Sequence, residues 1–519
     1  MIVKEGMNLM NYTKEIPIKK GEYWWGGNVE DGWRMPFDPS FKRNLYGNLL
    51  YNQGAPLLLS NKGRIIWSDE PFEFSVEADV LKIVSSSEIT FSDNEGSLKS
   101  AFGEASSNYF PSSQQMPDIS FFSLPQFNTW MEMPYYPEQE AVLTFAKDIL
   151  KHGFPPGVFI IDDGWQENFG NWVFHLGRFP NPKAMVEELK ELGFKVMLWI
   201  CPFVSPDSYT FRMLNKKGYL IRDKNDKPVI REWWNGYSGI LDCSNKSAVE
   251  WLQSKMDSLK EDYGIDGFKM DGGDPQYYKL SDRCKKNITP NEHCLEWAKI
   301  GLNYPFNEYR ACWKLGGQPL VQRLSDKNHS WTALKSLVPN AIAQGLLGYT
   351  FICPDMIGGG QYEDLINENF TWDQELFVRY AQCSALFPMM QFSTAPWRVL
   401  DEIHLNYCLE AIKVHNEFAP TMIELAKNSA KTGEPIIRHM AFEFDASEFI
   451  QIKDQFMLGE NILVAPVLER RMKEREIIFP PGTWIGDDGT KVNGPCKVKV
   501  QTPLSRLPWY WKEKELNRV

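Results

Sequence analysis

Eight strand-like apolar runs between residues 116 and 424, with amphipathic helices between several of them, predict an α/β protein built on a (β/α)8 (TIM) barrel. Short β segments broken by Gly, Pro, Asn and Ser on either side add an N-terminal β-sandwich over 1–115 and a C-terminal β domain over 425–519. The third observation is the stretch from Tyr263 to Asp274, YGIDGFKMDGGD, where the apolar strand Ile265–Met270 stops in two acids and two glycines. Barrel enzymes keep their chemistry at the carboxyl ends of strands, so Asp271 is the first candidate, and the glycines are expected to let a ligand approach the backbone. Alone, the same aspartate could equally cap a helix or pair with a cation.

Taken in order, Gly63–Trp67 and Phe72–Glu77 read as N-terminal strands, the second with strict alternation. The barrel rhythm starts with a strand-like Phe121–Trp130 and a helix over Glu138–His152 that Gly153 closes. Gly157–Ile161 is a buried strand, Asn181-Pro182 opens a helix that Gly193 ends, and Lys195–Ile200 is the next strand. A helix over Ala248–Tyr263 leads into the Asp271 strand. Strands follow near Tyr309–Trp313 and Leu320–Leu324, then a helix around Trp331–Gln344 and a strand at Tyr349–Cys353. Ala385–Met390 is the expected eighth strand. Past 425, Ile462–Val467, Glu476–Phe479 and Lys497–Val500 are short strands joined by Pro-Gly and Asp-Asp-Gly turns.

With 519 residues, 43% of them hydrophobic, the chain can bury a large core and has room for two or three domains. A net charge of -11 argues against nucleic acid or an anionic membrane surface and suits a small neutral partner. Several of the 19 tryptophans sit beside polar residues in turn-like stretches: Trp24-Trp25, Trp165, Trp233-Trp234. Such rings suit stacking on sugars. The nine scattered cysteines contain no C-x-x-C pair and read as reduced thiols, neither a disulfide framework nor a zinc site. The first twenty residues hold no apolar core of signal-peptide length, so a cytoplasmic location is expected. The sequon Asn287-Ile-Thr289 leaves a secreted or lumenal one open.

On a barrel, Asp162, Asp163, Asp242, Asp271, Asp326 and Asp355 all fall after strands and should gather around one pocket. Carboxylates without clustered histidines suit acetal cleavage, in which one acid attacks the anomeric carbon while another protonates the leaving oxygen. A magnesium site is the competing reading.

Several blocks of sequence carry a specific resemblance. They are Val158–Trp165 (VFIIDDGW), Arg178–Lys183, Gly193–Trp199, Lys216–Leu220, Phe268–Asp271, Asp326 with Trp331, Asp355–Gly359 and Met457–Val467. In order and spacing the chain resembles glycoside hydrolase family 31. The resemblance implies a retaining, exo-acting α-glycosidase on a small oligosaccharide or glycoside, with no metal and no organic cofactor. It implies Asp271 as nucleophile and Asp326 as acid/base. For substrate binding it implies Asp162 on the far hydroxyls of the terminal sugar, Arg310 beside the nucleophile and Trp199 as an aromatic wall. Asp163, Trp234, Asp242, Lys269, Asp355 and Ser393 complete the candidate substrate-binding set. Lys269 and Arg310 would keep Asp271 ionised, and Asp163 is expected to face away from Asp162 because side chains alternate along a strand. Retention requires the two catalytic carboxyls to lie about 5 to 5.5 Å apart.

Two departures touch specificity. Gln391-Phe392-Ser393 stands where most members carry Arg-Asn-His, and Asp355-Met-Ile-Gly-Gly is one residue longer than the usual motif. Arg231–Gly236 and Phe387–Phe392 are most similar to the branch of myogenesis-regulating glycosidases, for which α-galactoside cleavage is implied. The terminal hexose is therefore α-galactose or α-glucose, with galactose slightly favoured by the missing histidine. A transglycosylase using the same acids, and a sugar-binding protein without catalysis, are the other readings; the second would show replacement of Asp271 or Asp326, and neither is replaced.

Overall fold

The computed structural model describes residues 12–513, so the reading of residues 1–11 lies outside it. Eight parallel strands form one sheet: β1 (Gln126–Asn128), β2 (Val158–Ile161), β3 (Lys195–Ile200), β4 (Gly267–Met270), β5 (Phe306–Tyr309), β6 (Gln322–Arg323), β7 (Ile352–Cys353) and β8 (Gln391–Phe392). β8 pairs with β1, Gln391 beside Gln126, and a bridge from Ile357 to Phe392 links the seventh and eighth positions. The result is a nearly closed (β/α)8 barrel. Its β2 and, after the exposed Lys195, β3 are apolar runs because helices cover one face and the barrel core fills the other.

The later strands are short and polar, since the barrel interior on that side is a hydrogen-bonded network. Gln391 Nε2 donates to Gln126 Oε1 at 2.8 Å and to Glu308 Oε2 at 2.7 Å, and the Arg323 guanidinium pairs with Glu308 at 3.4 Å. Such groups are tolerated at full burial only when paired. This explains a correction: Ala385–Met390, read as the eighth strand, is the end of helix Gln374–Ala385 plus a turn, and the strand is the following Gln391–Phe392. A short apolar run cannot tell a buried helix end from a strand. Likewise Phe121–Trp130 divides into a helical turn at Ser120–Ser123 and β1.

The N-terminal β-rich region holds two sheets. One orders Tyr12–Pro17, Val80–Ser85, Phe72–Glu77 and Lys42–Asn44. The other is built on Gln53–Ser60, flanked by Trp24–Asn28 and Ile65–Trp67. Trp24 and Trp25, singled out above for stacking on sugars, are fully buried in this core. The expected strand at Tyr309–Trp313 splits: its last part, Cys312–Trp313, leaves the barrel and pairs in parallel with Gln53–Gly54. A 31-residue helix, Glu402–Thr432, connects the barrel to a six-stranded C-terminal sheet. Among the described residues no helix is long and apolar enough to cross a membrane.

Candidate active site

A pocket of about 850 Å3 opens where β2, β4, β5 and β6 end. β4 stops at Met270, and the Asp271 N–H donates to Ile200 O on β3 at 2.9 Å, which fixes the carboxylate at the rim. Gly272 and Gly273 then take φ of 68° and 72°, a turn that L side chains resist. A Cβ on Gly273 would lie 2.3 Å from the Trp297 ring. A Cβ on Gly272 would meet Phe203 and Pro202 at 3.0 and 3.2 Å, so the two glycines serve the turn and its packing on protein, which corrects the expectation that they clear room for a ligand.

The Asp271 carboxylate accepts three hydrogen bonds. Arg310 Nε donates to its Oδ1 at 3.2 Å, the Gly272 N–H to the same oxygen at 2.9 Å, and Trp199 Nε1 to Oδ2 at 3.1 Å. Burial alone would push this carboxyl up, but the charges of Arg310, Lys269 and Arg323 outweigh it and hold the group well below the usual carboxylate range. Arg310 also donates through Nη2 to the fully buried Asp274 at 3.1 Å. Asp274 is pushed up to about 6 by burial, against the pull of Arg310.

Lys269 Nζ reaches Asp162 Oδ2 at 2.6 Å, with both side chains almost fully buried. Asp163 lines the same pocket, contrary to the expected alternation. The strand ends at Ile161, so both acids sit in the following turn where the two-residue period no longer holds. Asp163 accepts from Asn235 Nδ2 and Gln166 Nε2, and burial together with the charge of Asp162 raises its pKa to about 7. Across the pocket Arg323 Nη1 donates to Asp326 Oδ1 at 2.7 Å and to Asp355 Oδ1 at 2.9 Å.

Asp162, Asp163, Trp199, Trp234, Lys269, Asp271, Arg310 and Asp326 thus converge on one cavity. Three candidates do not line it. Asp355 lies behind Asp326, with its Oδ2 taken by the Lys327 N–H. Ser393 is fully buried and its Oγ accepts from the Met131 N–H at 2.7 Å. Asp242 is consumed in a turn beyond the pocket, accepting from the N–H groups of Ser244 and Lys285. All three follow strands, but a position after a strand does not by itself turn a side chain inward.

Among families of known sequence, the glycosyl hydrolases family 31 TIM-barrel domain matches residues 119–424 and the glycosyl hydrolase family 31 C-terminal domain residues 433–515. The chain belongs to glycoside hydrolase family 31. The myogenesis-regulating glycosidase of Mus musculus is 31% identical over 397 residues, 72% of this chain and 54% of that protein. An alpha-glucosidase of Saccharolobus solfataricus is 23% identical over 428 residues, 73% and 60% of the two chains. This chain spans about half the length of the curated relatives it matches. A family 31 dextranase of Flavobacterium johnsoniae, complexed with glucose, superposes with a TM-score of 0.84 at 20% identity, over 97% of this chain and 66% of that one. At that identity the likeness speaks for the fold.

The family 31 barrel does not build the pocket unaided. Tyr51, at φ 61° in the N-terminal region, lines it, and the Arg310 guanidinium lies 5.1 Å from that ring and 5.4 Å from Trp234. Behind Tyr51, Asn52 exchanges hydrogen bonds with Ser325, and Glu30 pairs with Lys327 at 2.7 Å. Nothing in the sequence pattern of residues 28–52 marks them as site residues; only the tertiary fold brings them there. From the other side Trp130, Tyr135 and Tyr362 wall the mouth, with ring centroids 4.9 to 6.0 Å apart.

The raised Asp163 has a consequence for stability. Its carboxyl ionises near 3.9 in the unfolded chain and about 7 in the folded one, so the folded state holds a proton that the unfolded state releases between those values. Stability from this group is full below pH 4 and is lost as pH rises through 7. Asp163→Asn should therefore flatten the pH dependence of thermal unfolding between about pH 4 and 7, by about 1 to 3 kcal/mol. An unchanged slope in the variant contradicts the assignment of that proton to Asp163.

Proposed function

We propose that the chain is a retaining exo-α-glycosidase that releases a terminal α-linked hexose through a covalent glycosyl-enzyme on Asp271, with Asp326 as acid/base. The observation that carries this reading is a carboxylate held ionised by Arg310, Lys269 and Trp199 in a pocket that it shares with a second, solvent-reachable acid. Asp271 attacks the anomeric carbon while Asp326 gives its proton to the leaving oxygen. In the second step Asp326 takes a proton from water, which displaces Asp271 and restores the α configuration. Asp162, braced by Lys269, and Asp163 accept hydrogen bonds from ring hydroxyls, and Trp199 and Trp234 supply apolar surface. A pocket of this volume falls in the small-ligand range of about 300–1,000 Å3, which suits one terminal sugar and part of its aglycone.

The sugar is an α-galactoside or an α-glucoside, which differ in the direction of one hydroxyl. No histidine lines the pocket among the described residues, and the galactoside stays slightly favoured. Turnover of matched p-nitrophenyl α-galactoside and α-glucoside, with the anomer of the first product followed by NMR, tests both parts. A β-anomer released first overturns the retaining mechanism, and a tenfold glucoside preference overturns the sugar assignment alone.

A further inference from the structure

Asp242 fails as a sugar ligand, yet its surroundings hold a set of groups that the glycosidase reading leaves unused. Cys284 Sγ and His293 Nε2 lie 3.2 Å apart, and a carboxylate oxygen of Asp242 joins them so that all three ligand atoms fall within 4.8 Å of one another. None of the three lines the pocket. We propose that Asp242, Cys284 and His293 form a binding site for a borderline divalent ion such as Zn2+.

The donor set is the first argument. A thiol, an imidazole and a carboxylate together are the ligands of Zn2+ and Co2+, while Mg2+ and Ca2+ take oxygen alone. Metal–ligand bonds of about 2.0 to 2.3 Å in a tetrahedron put ligand atoms roughly 3.3 to 3.6 Å apart, so the Cys–His separation is already near the required value and only the carboxylate has to draw in.

The second argument is that the ligands are held for the purpose by groups of their own. The His293 ring is buried and stacked on Tyr278 at 4.3 Å, which fixes its plane, and among the described residues its Nε2 faces Cys284 Sγ. Asp242 is fixed by Ser244 and by the Lys285 N–H at 2.7 Å, and the Lys286 N–H donates to Ser244 Oγ at 3.0 Å, which draws the Cys284 loop onto the Asp242 turn. Cys284 is partly exposed, so an ion has a way in. On binding, the Cys284 sulfur gives its proton to solvent and its lone pair to the metal, with no change in oxidation state; a water fills the fourth position. The ion would join the Asp242 turn to the Cys284 loop some forty residues later and to His293, nine residues beyond Cys284 on the helix Pro290–Lys299. That spacing matches no short metal motif, which is why the sequence reads as metal-free.

The test uses the full chain stripped with a chelator and titrated with Co2+. One equivalent should produce a near-ultraviolet thiolate-to-cobalt absorption band, which Zn2+ abolishes by displacement. Cys284→Ser should lose the band and Cys496→Ser should keep it. Zn2+ should raise Tm of the wild type and leave Cys284→Ser unmoved. Absence of the band in the wild type, its persistence in Cys284→Ser, or an equal Tm rise in both proteins overturns the site. None of these readouts depends on glycosidase activity.

Discussion

Replacing Asp271 or Asp326 with alanine should each lower kcat/KM for a natural-type α-hexoside by about 10^4-fold or more, because each removes one half of a two-step exchange at the anomeric carbon. The two losses should differ in kind. Asp326→Ala should keep far more activity on a dinitrophenyl glycoside, whose leaving oxygen needs no proton, whereas Asp271→Ala should not. Azide separates them further. In Asp271→Gly it should enter the vacated site and give the β-glycosyl azide; in Asp326→Ala it should capture the glycosyl-enzyme and give the α-azide. Near wild-type turnover in either variant, or azides of the reverse configuration, removes the assignment.

The second large effect is expected at the Asp162–Lys269 pair, where both ions are nearly fully buried 2.6 Å apart. Asp162→Asn should remove the proposed sugar ligand and leave the Lys269 ammonium without its partner, a loss of about 3 to 5 kcal/mol spread over stability and transition-state binding. Adding Lys269→Met should return most of the stability and none of the activity. It should also move the acid limb of the kcat/KM profile upward in pH, since the Lys269 charge helps hold Asp271 below the usual carboxylate range and its removal lets that pKa rise. Thermal unfolding and a pH–rate profile of the three variants read both effects. Restored activity in the double variant would show that Asp162 acts only by pairing with Lys269.

Much of this could be read before any coordinates. β2 and, after Lys195, β3 are apolar runs, β2 and β4 run directly into Asp162 and Asp271, and helices such as Pro182–Glu191 carry their own start signals, Asn181 as cap and Pro182 in the first turn. Asp162 and Asp271 followed as candidates from those strand ends, and Asp326 from the strand read at Leu320–Leu324, together with the family likeness. The opposite half of the barrel was less legible because β6, β7 and β8 are two residues long and their sequences, Gln-Arg and Gln-Phe among them, are shaped by an interior polar network. Orientation was the other gap. Asp163 turns inward and Ser393 outward for reasons of local turn geometry and of a single hydrogen bond to Met131, neither of which leaves a periodic trace. Tyr51 was invisible for a third reason, since its neighbours in the pocket lie more than two hundred residues away.

That last distance matters during synthesis. Gln53, two residues after Tyr51, donates its side-chain amide to Arg310 O, 257 residues later, and to Arg323 O at 2.9 Å, and its backbone pairs with Cys312. At about 5 to 20 residues per second the ribosome needs roughly 10 to 50 s to deliver those acceptors. For that interval the N-terminal sheet can complete its own hairpins, but the stretch carrying Tyr51 has nothing to dock on. The wall of the pocket that it forms therefore takes shape later than the N-terminal sheet that carries it, and the nascent chain can complete this pocket only once strands β5 and β6 have cleared the exit tunnel.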